Sequence, residues 1–117
     1  MNIKSLNDEE LWIEAIKESE VERNSTLRVI AFVEEISFRH LHLKRGYSSL
    51  HQYFVKVLKY SDGCASRRIN AMRLVQELPE TRKSIENGSL NLTTASQIQL
   101  VIEKKKSKNE PLEKKKR

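Results

Sequence analysis

The stretch that decides the fold is residues 50–79, LHQYFVKVLKYSDGCASRRINAMRLVQELP. Its first part places Leu50, Tyr53, Phe54, Val57 and Leu58 at i, i+3, i+4, i+7 and i+8, the apolar stripe of an amphipathic helix. Tyr60-Ser61-Asp62-Gly63 then makes a tight connection, and Ser61 is placed to cap a second helix running to about residue 77. At about 100° per residue, Ser66, Arg67, Asn70 and Arg73 share one sector of roughly 120°, with Ala65, Ile69, Met72 and Val75 on the other side. Arg68 falls near the apolar side, where its stem packs and its head snorkels. Two amphipathic helices joined by a short Gly-containing turn predict a helix-turn-helix-like pair.

The flanking sequence extends this to an all-α bundle of about six helices, because no sustained period-2 apolar pattern appears and Pro occurs only at 79 and 111. Asn7 with Glu10 is a capping-box start, followed by Leu11, Trp12, Ala15 and Ile16. Trp12, at helical spacing with Ile16, is expected in the core. A longer helix is expected over about 22–44, carrying Leu27, Ile30, Val33, Ile36 and Leu43; it either joins the first directly or breaks at Asn24-Ser25-Thr26, a weak spot of poor helix formers. Gly46 fits a helix stop, and Ser48 or Ser49 a cap for the next helix. Pro79 suits the first turn of a fifth helix that Asn87-Gly88 ends. Thr93 or Thr94 opens a sixth, with Ala95, Ile98, Val101 and Ile102. From 104 onward the chain is charged and low in complexity. The expected organisation is therefore a helical domain over 1–103 and a basic tail or linker over 104–117.

The chain has 117 residues and a net charge of +6, unevenly spread. Residues 1–38 hold four basic and nine acidic side chains; residues 39–73 hold eight basic ones against Asp62 alone. Residues 103–117 hold eight basic and three acidic. A basic middle block and tail point to a polyanionic partner such as nucleic acid. The lone Cys64 permits neither an internal disulfide nor a Cys-based zinc site. No apolar run approaches the ~20 residues of a membrane span, and the N-terminus shows no secretory pattern, so a cytoplasmic location without membrane contact is expected.

These features, with the family resemblance of residues 45–98, predict binding to double-stranded DNA without catalysis; charge and spacing alone are equally met by a solvated basic helix face. Arg67, Asn70 and Arg73 are the candidates for bases or nearby phosphates, since Arg suits guanine and Asn suits adenine. Ser66, Lys56 and Lys59 are the candidates for the phosphate backbone. Neither a cofactor nor a metal is expected: His40 and His42, two apart, point about 200° away from each other on a helix, and His51 has no ligand cluster beside it. No convergent nucleophile or acid–base pair marks an enzyme. A rival reading is a helical protein-interaction or dimerisation module, with a homodimer formed through the long helix near 22–44, where Phe32 and Phe38 lie outside the main apolar stripe.

The segment 45–98 resembles the helical region that precedes the nuclease module in bacterial HNH endonuclease-family proteins. The shared features are Arg-Gly-Tyr-Ser-Ser-Leu (45–50), Tyr-Ser-x-Gly-x-Ala (60–65), Arg68-Ile69 followed by Ala71, Leu78-Pro79-Glu80, and Gly88-Ser89-Leu90-Asn91-Leu92. Its second half is also similar to the helix-turn-helix of ParB-type partition proteins. The resemblance implies the DNA-targeting part of a nuclease, with the catalytic module beyond these residues.

Overall fold

The computed structural model describes residues 2–116, with side chains from 2 to 108. Among the described residues there is no strand. After a 3-10 turn at Ile3–Ser5 come six helices: α1 (Asp8–Phe38), α2 (Leu41–Lys44), α3 (Leu50–Lys56), α4 (Asp62–Glu77), α5 (Thr81–Glu86) and α6 (Leu92–Lys116). The fold is an all-α bundle with the helix-turn-helix-like pair α3–α4 at its centre, as the sequence predicts. None of the described helices is long and apolar enough to cross a membrane.

The capping box forms: Asn7 Oδ1 accepts from the Glu10 amide at 2.8 Å, and the Glu10 carboxylate accepts from the Asn7 amide at 3.1 Å. From there α1 runs unbroken through Asn24-Ser25-Thr26, so the two expected helices are one. Two of the three polar side chains there bond along the helix. Thr26 Oγ1 donates to the Glu22 carbonyl at 3.0 Å, and Ser25 Oγ accepts from Arg28 at 3.1 Å. Burial of Leu27, Ile30 and Val33 just beyond outweighs the low propensity. The helix also stops short of the expected residue 44. His40 adopts a left-handed φ of 55°, and α2 is a separate turn. The change of direction buries His42 and leaves Leu43 exposed.

Later boundaries follow the caps. Ser49 accepts from the Gln52 amide and Ser61 from the Cys64 amide. Gly46 and Gly88 hold left-handed φ values of 95° and 86° where α2 and α5 end. Pro79 sits in the turn before α5 rather than within it, and α6 is capped by Asn91, whose Oδ1 accepts from the Thr94 amide at 2.8 Å. The backbone of residues 104–116 continues α6.

Helix α4 is the hub. It packs most extensively on α6 and also touches α3, α1 and α5. Its Ala65, Ile69, Ala71, Met72 and Leu74 are buried with Phe54, Ile85, Ala95 and the three apolar residues of α1. The N-terminal part of α1 takes no share in this core. Trp12, expected inside, is 72% exposed, because the first buried residue of α1 is Leu27.

Candidate nucleic-acid interface

The site is built on the start of α4. Ser61 fixes the first turn, and His51 Nε2 lies 2.9 Å from Asp62 Oδ1, tying the start of α3 to that of α4. The tyrosine at 60 and the glycine at 63 then dispose of two arginines. The Arg68 guanidinium stacks 4.5 Å above the Tyr60 ring and donates to the Cys64 carbonyl at 3.1 Å. The Arg67 guanidinium folds back on the first turn of its own helix. There it donates to Cys64 Sγ at 3.4 Å and lies 3.3 Å from where a Cβ at Gly63 would sit. The Cys64 thiol is held below its ordinary pKa chiefly by the Ser61 hydroxyl, against the opposing effect of desolvation, with Arg67 contributing further.

Three of the predicted residues come together. Ser66, Asn70 and Arg73 lie one turn apart along α4 and line a polar groove of about 390 Å³ with His42, Ser49 and His51. Arg67, about 100° round the helix from Ser66, is not among the residues lining this groove. Helix α6 covers one flank. The Asn70 amide donates to Ser96 Oγ at 3.0 Å, and Arg73 Nη1 stands 3.6 Å from Glu103 Oε1. Asn70 is thus engaged by the protein itself, while Ser66 and Arg73 are exposed.

Lys56 and Lys59 are exposed at the end of α3 and in the turn after it, Lys59 with a left-handed φ of 65°. Lys44 and Arg45 at the end of α2 are likewise exposed. Among the described residues none of these four lies in an ion pair. By contrast Arg39 is bound to Glu35 at 2.8 Å. The exposed edge of α4 is narrow, because the helix is packed on four neighbours. It offers donors and positive charge to an anion. It does not present half its circumference, as a helix seated deep in a groove does.

Sequence reasoning did not find His42, Ser49 and His51 as groove residues. They come from other elements, and only the cap role of Ser49 was legible locally. The cover by Ser96 and Glu103 had no sequence signal either, since it depends on how α6 crosses α4. Among the described residues no group of three or more His, Cys, Asp or Glu side chains is placed to hold a metal. No family model matches this chain, and no curated protein or solved structure matches it.

Proposed function

We propose that this domain binds double-stranded DNA through its phosphates and performs no catalysis itself. The observation that carries this is the exposed Ser66–Arg73 edge of α4 opening on a polar groove, together with exposed Lys56, Lys59, Lys44 and Arg45, which have no carboxylate partners among the described residues. Cationic side chains spared from ion pairs are available to displace counterions from a polyanion. Ser66, Arg73, Lys56 and Lys59 contact phosphates, the lysine-rich segment after 103 adds non-specific attraction, and Asn70 holds α6 in place. The sequence resemblance extends this reading to the targeting region of an HNH endonuclease-family protein whose nuclease module lies outside these residues.

The test is fluorescence anisotropy with a mixed-sequence duplex, titrated over a range of salt. Binding at about 50 mM salt should weaken steeply by 200 mM, and each lost phosphate contact should reduce the log–log slope by about one. Replacing Arg73, Lys56 and Lys59 together by Gln should cost roughly tenfold or more in affinity at low salt. Undiminished binding by that variant, or no binding by the unmodified chain at low salt, overturns the site.

A second reading, a helical interaction module, is favoured by Phe32 and Phe38, which are 72% and 81% exposed on α1. A dimer that Phe32→Ser with Phe38→Ser dissolves, in a chain without duplex affinity, would replace the first reading with this one.

A further inference from the structure

The apolar stripe of α1 does not end where the bundle ends. Trp12, Ile16, Ser19, Arg23, Leu27 and Ile30 fall within about 80° of the helix circumference at 100° per residue. Leu27 and Ile30 are buried. Arg23 marks the edge of the cover: its Nε donates to the Glu86 carbonyl at 3.3 Å, at the last residue of α5. Outward of that point the same stripe is bare. Trp12 and Ile16 are exposed, and a hollow of about 390 Å³ lies between them, Ala15, Ser19 and Arg23. Leaving this much apolar surface in water on a projecting helix is unfavourable, by about 25 cal/mol per Å².

Charge selects what can cover it. Residues 8–22 carry seven carboxylates and the single cation Lys17. Glu9 and Glu20 border the stripe on one side, and Asp8 and Glu22 on the other. Two such arms side by side would face carboxylate with carboxylate, so self-pairing is disfavoured. The outer face of α6 has the opposite character. Ile98, Val101, Lys105 and Lys108 share one exposed sector there, with Lys104 beside them, on the side away from Gln99 and the α4 contact.

We propose that the outer half of α1 is a dimerisation arm, whose bare Trp12–Ile16–Ser19 stripe docks on the Ile98/Val101 face of α6 in a second copy, its bordering carboxylates opposite the lysines that follow Val101 on that copy. Two such contacts related by a two-fold axis close a dimer. This surface is distinct from Phe32, which lies on the far side of α1, and the proposal stands without the DNA reading.

Sedimentation or light scattering of the full chain, without nucleic acid, tests it. Dimer is expected at about 50 mM salt and monomer at about 500 mM, since the flanking charges are screened. Trp12→Glu with Ile16→Glu should give monomer at both, with unchanged helicity and melting, because neither residue touches the core. Glu20→Lys with Glu22→Lys should also be monomeric, as should Lys104→Glu with Lys105→Glu. Mixing these two charge-reversed variants should restore dimer. The proposal is overturned by a monomeric unmodified chain at low salt, or by a dimer that survives the Trp12/Ile16 change. It is equally overturned by charge-reversed variants that stay monomeric when mixed.

Discussion

Arg67 and Arg73 stand on one helix and meet different surroundings. Arg67 is spent on the first turn of α4, against Cys64 and Gly63; Arg73 reaches outward and is held only loosely, 3.6 Å from Glu103. The Ser61 hydroxyl and then Arg67 favour the Cys64 thiolate. Arg67→Met should therefore slow alkylation of Cys64 by iodoacetamide a few-fold near neutral pH, roughly as a rise in thiol pKa would. Asn70 separates a structural role from a recognition role. Its hydrogen bond to Ser96 is partly buried, so Asn70→Ala should cost about 1 kcal/mol in denaturant unfolding. Duplex affinity should change little, whereas a base-reading Asn would lose affinity and sequence preference together.

Between elements, α4 and α6 are stitched by polar as well as apolar contacts. Lys106 Nζ lies 2.7 Å from Glu77 Oε1, and Gln99 Nε2 reaches both Glu77 and Glu103 at 3.4 and 3.2 Å. The Lys106 hydrogen bond holds the Glu77 carboxyl below the usual carboxylate range, against a smaller desolvation effect. A carboxyl lowered in the folded state stabilises at pH above its unfolded value. That contribution disappears as pH falls through the lowered value. Lys106→Met should accordingly lower the melting temperature at neutral pH, and the gap to the unmodified chain should close in the acid range below about pH 4. The boundaries of α1 make a related point. Capping and left-handed turns were legible at Asn7, Ser61 and Gly88, but not at His40, whose left-handed turn ends α1, nor at Asn91, which caps α6. The passage through Asn24-Ser25-Thr26 was not legible either, because side-chain bonds to the preceding turn and burial beyond it decide the outcome.

At the scale of the molecule, one compact core coexists with long helices that extend past it; the chain measures 67 × 32 × 21 Å. The core is concentrated around α4, where Leu74 is fully buried. Leu74→Ala should cost about 2–5 kcal/mol in denaturant unfolding, a large share of the stability of so small a core. The same burial limits function. A helix enclosed by α1, α3, α5 and α6 has an edge to offer, so the proposed DNA contact is one of phosphates and salt dependence. A dimer through the α1 arm would double the number of basic edges available to one duplex and steepen that dependence.

The sequence by itself determined the helical class, most helix starts and stops, and the concentration of positive charge in the middle block. Periodicity, caps and composition are local properties that a single chain displays directly. Only the tertiary structure decided that Ser66 and Arg73 stay exposed while Asn70 turns to α6. It also decided that Arg67 folds back, that His42 and His51 enter the groove, and that Trp12 is left outside. Each of those outcomes depends on which neighbour arrives at a helix face, and neighbours far apart in the chain meet only once the bundle has packed.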